Sequence, residues 1–266
     1  MPAYKAAATI QEALAGIVHQ THASWELFVI LDGNDEASLD IIKSFAARDS
    51  RIRYLHSKKN RGVVRARNLG IRMAKGQWIA FCDADDFWLP EKLEHQLKYA
   101  HQQGLTLLGS RFWFWQAGVP HSFRLALIPA LKSASMLQKS NMLPMSTAMW
   151  NAHIHGKHYF STLPQPYIHE DYAFWLTFCQ RLNPKVGLLS APLACIRLQD
   201  HSRSSNKWLA LVSHAYILRA IGQLPYWKWV PNLFAYFYYG WLKRRGPLAD
   251  SLQSEHLVNC IAKAQS

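Results

Sequence analysis

Cysteine is scarce in this chain: Cys82, Cys179, Cys195 and Cys260 stand far apart among 266 residues, and none forms a C-x-x-C pair. That spacing argues against a disulfide framework and a zinc ribbon, and it suits a reducing compartment. The 13 glycines and 12 prolines are scattered, which excludes collagen-like and linker-like chains. No internal repeat, low-complexity tract or N-terminal signal pattern is present, so a cytoplasmic protein is expected. The most uneven shortage is of acid. Beyond Glu94 only Glu170, Asp171, Asp200, Asp250 and Glu255 face 17 Lys and Arg, whereas residues 1–94 hold 12 acidic and 13 basic side chains. The net charge of +13 therefore sits almost entirely in the back two-thirds. Such a surface favours an anionic partner: nucleic acid, anionic lipid or a phosphorylated substrate. Half of the residues are hydrophobic, which excludes a disordered chain and leaves ample material for a core.

What is present reads first as alternating helices and strands. Thr9 to Gln20 sets Ile10, Leu14, Ile17 and Val18 on one helical stripe. Glu26 to Leu31 is a short apolar run stopped by Asp32-Gly33-Asn34-Asp35, the pattern of a buried strand. A helix over Leu39–Ala47, a strand over Ile52–Leu55 and a helix over Arg61–Ala74 follow. A second buried strand, Gln77–Cys82, runs into Asp83-Ala84-Asp85-Asp86, and Pro90 with Glu91 opens the next helix. Strands separated by helices imply an α/β chain with a parallel, doubly wound sheet. Ligands of such sheets sit beyond the carboxyl ends of the strands. Two of these ends carry carboxylates, at Asp32 and at Asp83, Asp85 and Asp86.

Later segments are less regular. Leu105–Trp115 and Val186–Leu198 read as strands, and Glu170–Gln180 as a helix with Phe174, Trp175 and Phe178 on its apolar side. Met1-Pro2-Ala3-Tyr4 reads as the end of a strand whose first half is missing. No linker is legible before about Ser202, so one domain is expected over residues 1–205 and a helical extension over 206–266.

Asp83-Ala84-Asp85 is the strongest local chemical signal. Carboxylates on alternate residues of an extended segment point the same way and can share one divalent cation with a diphosphate. Hard oxygen ligands suit Mg²⁺ or Mn²⁺, completed by phosphate oxygens and water. Taken alone, these residues read equally as a polar turn before Pro90, and Asp32 reads as a plain turn residue.

A longer series occurs in order. It comprises Met1-Pro2-Ala3-Tyr4, Gln20-Thr21, Trp25-Glu26-Leu27, Asp32-Gly33, Asn60-x-Gly62-x-x-x-Ala66-Arg67-Asn68-x-Gly70 and Ala74-Lys75-Gly76. Asp83-Ala84-Asp85-Asp86-x-Trp88-x-Pro90-x-Lys92-Leu93 completes it. This ordered set resembles the bacterial family-2 glycosyltransferases of the GT-A fold, densely over residues 1–95 and thinly to about Ser205. The resemblance implies a Rossmann-like, mostly parallel sheet with a nucleotide-sugar half over about 1–95 and an acceptor half over about 96–205. It implies that Asp32 contacts the nucleotide base, that Arg67 and Asn68 line the nucleotide pocket, and that Asp83 and Asp85 hold the ribose and the metal on the sugar diphosphate. One departure is visible. Where the family has Asp-Asp-Gly-Ser, this chain has Leu31-Asp32-Gly33-Asn34, which keeps the base-contacting position and leaves base preference open.

The acidic pair Glu170-Asp171 interrupts a basic stretch and opens an aromatic helix, and it resembles the family's E-D-x-x-x-W-L segment. The resemblance implies that Asp171 is the general base for the acceptor hydroxyl, as an inverting transfer requires on the face opposite the leaving diphosphate. Glu170 is expected either to position the acceptor or to complement the helix dipole. The segment from Cys195 to Ser204 resembles a later family motif. There Arg197 is expected to reach the diphosphate, while Gln199 replaces the family's histidine and His201 lies two residues on. His153, His155 and His158 lack a carboxylate or cysteine companion and read as a solvated loop rather than a metal site.

Nine of the sixteen residues from Tyr226 to Trp241 are aromatic, and Lys243-Arg244-Arg245 follows. Lys228, Pro231 and Asn232 interrupt the stretch, which argues against a transmembrane helix. It reads either as a segment in the interface of an anionic membrane or as helices packing on the catalytic core. The sequence thus points to an inverting, metal-dependent glycosyltransferase with a nucleotide-diphosphate-sugar donor and a saccharide or lipid-linked acceptor, building bacterial surface polysaccharide. Peripheral contact at the inner face of the plasma membrane is expected. Two alternatives are a related domain that has lost activity, raised by Leu31 and the short first strand, and a basic nucleic-acid-binding protein. The latter needs a basic strip with stacking aromatics or a reader motif, and the sequence has neither.

Overall fold

The computed structural model describes residues 1–116, 119, 122–164, 167–198, 207–223 and 225–263. Its first half runs β1 (Pro2–Ala3), α1 (Ile10–Val18), β2 (Leu27–Asp32), α2 (Glu36–Arg48), β3 (Ile52–Ser57), α3 (Val63–Met73), β4 (Trp78–Ala80), β5 (Phe87–Trp88) and α4 (Lys92–Gln103). The chain continues through β6 (Leu107–Trp115), β7 (Arg124–Leu125), β8 (Met149–Asn151), α5 (Ala152–His155), α6 (Glu170–Leu182) and β9 (Val186–Arg197). Helices α7 (Lys207–Tyr216), α8 (Tyr226–Lys243) and α9 (Ser251–Lys263) complete it. The expected Gln199 and His201 motif lies outside the described residues.

The α/β alternation expected from the sequence is present, divided between two sheets. Strands β1, β2 and β3 are all parallel, with Pro2 opposite Ile30 and Leu27 through Asp32 opposite Ile52 through Ser57. All six residues of β2 are buried, which explains its unbroken apolar run. The second sheet has the order β4-β8-β6-β9-β5, with β7 beside β6. Its long strands β6 and β9 are parallel and its short ones antiparallel. Edge strands β1 and β4 face one another across a cavity of about 420 Å³, lined by Met1, Leu27, Phe28, Trp78, Phe81 and Trp88 among others.

Local chemistry sets the element ends. Helix α2 starts three residues before Leu39 because the Asp35 carboxylate accepts from Ser38 N at 3.2 Å, an N-cap worth about 1 kcal/mol. Helix α3 starts after Arg61 because Gly62 has φ +90°, a left-handed region that glycine enters without a Cβ penalty. Both amides before that helix, Arg61 N and Gly62 N, donate to Asp32. Strand β4 ends at Ala80, two residues before Cys82, and the acidic turn follows from Asp83.

Behind that turn an aromatic core fixes α6. Phe174 stacks on Phe160 at 4.0 Å, Trp150 packs against Trp175 and Phe178, and Trp175 Nε1 donates to Leu143 O at 2.7 Å. Each buried ring contributes roughly 1.5–3 kcal/mol. His155 and His158 belong to this packing and are not in the solvated loop expected for them. His155 Nε2 lies 2.8 Å from Thr106 Oγ1, and both imidazoles meet the Phe178 ring edge-on. The four cysteines are unpaired, as their spacing predicts.

Helices α7 and α8 pack on the second half of the chain, whereas Leu257 and Ile261 of α9 share a core cluster with Ala15 of α1 and Phe87. Ile168 N donates to Ser213 Oγ at 3.0 Å, and Gln180 Nε2 donates to Gly222 O at 3.1 Å. His214 stacks between Tyr172 at 4.7 Å and Tyr236 at 4.1 Å, so one imidazole joins α6, α7 and α8. Burial holds this histidine neutral, with its pKa pushed down to about 3. An unfolded chain takes up that proton below about pH 6.5 and the folded chain does not until about 3, so stability falls as pH drops through this window. The expected loss from this group at pH 5 is on the order of 2 kcal/mol. Urea midpoints at pH 7 and pH 5 check this: His214→Phe is expected to lose less than the parent, and equal losses would place the titration elsewhere.

Candidate active site

The carboxyl end of β4 turns through Asp83-Ala84-Asp85-Asp86, closed by Asp86 N donating to Asp83 O at 3.1 Å. Asp86 pins this turn from below. Its buried carboxyl accepts from Ser146 Oγ at 2.5 Å and from Arg197 N at 3.1 Å, while Asp83 N donates to Ser146 Oγ at 3.0 Å. Burial, with Asp85 and Asp83 beside it, holds the Asp86 carboxyl well above the usual carboxylate range. Asp86 is thus an anchor, leaving Asp83 and Asp85 as the half-buried pair of the motif.

Arg67, projecting from α3, is the central cation of the site. Its Nη2 donates to Asp83 Oδ1 at 2.8 Å and Oδ2 at 3.1 Å, and its Nη1 lies 3.6 Å from Glu170 Oε1. Only 6% of its side chain is exposed, so these carboxylates are what make the buried charge tolerable. Burial disfavours the charge, yet Asp83 and then Glu170 outweigh it, and the guanidinium pKa is raised. Asp171, next on α6, accepts from Asn141 Nδ2 at 2.6 Å. Asn141 in turn is tied to the C-terminal region, because Lys243 Nζ donates to its carbonyl at 3.0 Å. Burial pushes the Lys243 ammonium down to about 8, with Asp171 opposing that shift.

Arg67, Asp83, Asp86, His169, Glu170 and Asp171 line a cavity of about 320 Å³. Of the residues singled out in the sequence, Arg67, Asp83, Glu170 and Asp171 are therefore brought together. Asp85 adjoins them through the turn. Burial and the Asp83 charge both raise its carboxyl pKa, so negative charge here is undercompensated. Two hard-oxygen donors carrying such an excess fit a divalent cation. Among the described residues no group of three acidic, histidine or cysteine side chains is placed to hold a metal ion by itself, so the remaining ligands would come from diphosphate and water.

The other three candidates have different surroundings. Asp32 is buried, and both its oxygens accept backbone amides at the start of α3, which aims the helix carrying Arg67. Asn68 clamps Phe160, donating to its carbonyl at 2.9 Å and accepting its amide at 2.8 Å. Arg197 pairs with Glu12, donates from Nε to Asp85 O at 3.1 Å and stacks on Trp115 at 4.1 Å. It thus holds the backbone of the acidic turn. Asn141, Ser146 and Lys243 were not legible in the sequence. Asn141 and Ser146 stand in irregular segments with no motif around them, and Lys243 lies within a basic run that resembles a surface patch.

Comparison with known proteins places the chain in a family and a fold. The family model described as Glycosyl transferase family 2 matches residues 1–155. TuaG of Bacillus subtilis (strain 168), a glycosyltransferase assigned to teichuronic acid biosynthesis, is 27% identical over 85% of this chain and 88% of its own length. The Escherichia coli enzyme WfgD, a UDP-Glc:alpha-D-GlcNAc-diphosphoundecaprenol beta-1,3-glucosyltransferase, is 28% identical over 79% of this chain and 80% of its own. Among solved structures, S. aureus TarS 1–349 in complex with UDP-GlcNAc superposes with a TM-score of 0.67 at 17% identity, covering 90% of this chain and 71% of that one. The mannosyltransferase PcManGT from Pyrobaculum calidifontis, in complex with GDP-Man and Mn²⁺, gives 0.63 at 16% identity over 99% and 72%. The fold is that of the GT-A glycosyltransferases, and the chain belongs to glycosyl transferase family 2.

Proposed function

We propose that this glycosyltransferase is an inverting, metal-dependent enzyme that moves a sugar from a nucleotide-diphosphate donor to a saccharide or lipid-linked acceptor in bacterial surface polysaccharide synthesis. The observation that carries the proposal is Arg67, which joins Asp83 and Glu170 across one cavity that Asp171 also lines. An inverting transfer needs that arrangement, with diphosphate recognition on one side and a carboxylate on the other. The names of TuaG and WfgD, and the UDP-GlcNAc held by TarS, support the donor and acceptor classes.

In this reading Asp83 and Asp85 hold Mg²⁺ or Mn²⁺, and Asp32, Arg67, Asn68 and Arg197 form or brace the nucleotide-sugar side. A bound cation there supplies Lewis-acid neutralisation of the diphosphate leaving group. Asp171 accepts the proton of the attacking hydroxyl, and the Asn141 amide fixes which carboxylate oxygen faces it. Glu170, paired to Arg67, positions the acceptor. The reading includes peripheral residence at the inner face of the plasma membrane and no nucleic-acid partner. Thermal shift against a panel of UDP-, GDP- and dTDP-sugars, with and without Mn²⁺, tests the donor side. One donor is expected to raise Tm, more strongly with Mn²⁺, and to be slowly hydrolysed. A panel with no shift and no hydrolysis would overturn the proposal.

A further inference from the structure

The outer face of α8 has no role in the site described above. Trp227, Val230, Phe234, Phe237, Tyr238 and Trp241 recur at three-, four- and seven-residue spacing, and each is at least 40% exposed. They form one stripe about 21 Å long at 1.5 Å per residue. The opposite face of the same helix turns inward. Tyr236 stacks on His214, Leu233 and Tyr239 pack against the core, and Lys243 reaches Asn141.

Charge selects what covers the stripe. Residues 201–249 contain seven Lys and Arg and no Asp or Glu. Arg244 and Arg245 are exposed at the end of the stripe, with the Arg245 guanidinium 4.8 Å from the Trp241 ring centre. A second copy of this chain would bring like charges together. A membrane crossing is excluded for this segment, because no helix among the described residues is long and apolar enough to span a bilayer. Aromatic rings with polar edges beside basic side chains match the boundary between headgroups and acyl chains of an anionic bilayer.

We propose that the outer face of α8 is a membrane-docking surface that lies in the plane of an anionic bilayer, its rings at the headgroup level and Arg244 and Arg245 on lipid phosphates. The inference deepens the lipid-linked acceptor of the proposed function and rests on that reading only for its purpose. Because Lys243 projects from the opposite side of the same helix toward the residue that holds Asp171, docking orients the acceptor side of the cavity relative to the bilayer.

Co-sedimentation of the full chain with extruded vesicles tests the surface. Binding to phosphatidylcholine vesicles containing phosphatidylglycerol is expected to exceed binding to pure phosphatidylcholine at least tenfold. The triple substitution Trp227→Ser, Phe234→Ser and Trp241→Ser is expected to lose at least tenfold in partitioning, and Arg244→Gln with Arg245→Gln roughly thirtyfold. Both variants should keep the parent's donor-induced thermal shift in solution, so a failure of docking is separable from a failure of the enzymatic reading. A measurement on the unaltered protein needs no variant: phosphatidylglycerol brominated on its acyl chains is expected to quench tryptophan emission. Equal binding to neutral vesicles, unchanged binding by the triple variant, or no quenching would each overturn the proposal. So would a light-scattering mass that falls from dimer to monomer on substituting the stripe, because the occupant would then be a second copy.

Discussion

Asp171→Asn is expected to slow transfer by roughly 10²–10⁴-fold, the range for losing a positioned proton acceptor, while donor affinity hardly changes. The substitution keeps the shape that receives Asn141 Nδ2 at 2.6 Å and removes the basic oxygen. The donor-side groups, Asp83 and Asp85, lie on a different element and are untouched. Glu170→Gln should be milder. It removes the partner of a 3.6 Å ion pair and leaves Arg67 with its tighter contacts to Asp83 at 2.8 and 3.1 Å. Turnover and nucleotide-sugar affinity measured for both variants check the assignment. An inactive Glu170→Gln beside an active Asp171→Asn would move the base to the neighbouring residue.

Asp85→Asn is expected to abolish both transfer and the Mn²⁺-dependent part of nucleotide binding, without loss of stability. Burial and the adjacent Asp83 already raise this carboxyl's pKa, so replacing it with a neutral amide relieves repulsion in the apo protein. A melting temperature equal to or above the parent's, combined with loss of the Mn²⁺ effect on donor binding, is the expected pair of results. Metal-dependent binding that survives the substitution would rule out the proposed role of Asp85. A function lost while stability is kept or gained is the general mark of a residue placed for chemistry.

The two halves of the chain differed in how much their sequence disclosed, and the reason is physical. Strand β2 announced itself because Leu27–Leu31 is buried on both faces and apolar throughout, and the apolar run through β4 because it stops abruptly at Asp83; a carboxylate closes each run, at Asp32 and at Asp83. Asp83, Arg67, Glu170 and Asp171 were legible as site candidates and share one cavity. Strands β7 and β8 were not legible, because two- and three-residue strands are too short to establish a period. Long-range partners were hidden for a different reason. Asn141 meets Asp171 across 30 residues and Lys243 meets Asn141 across 102, and local pattern carries no record of such distances. Arg197 and Asn68 could be named as polar residues in motifs, but the sequence did not disclose Glu12 or Phe160 as their partners.

Arg67 has one unit of positive charge and two acidic neighbours, one on each side of the cavity. In the proposed reaction, a diphosphate entering on the Asp83 side would compete for that charge and loosen its hold on Glu170, at the start of α6. Occupancy at the two sides is therefore thermodynamically linked, and the linkage is reciprocal. Whatever factor a saturating donor imposes on acceptor affinity, the acceptor must impose on the donor. A single buried guanidinium thus couples the two binding events by the same factor in either order, with no moving lid required.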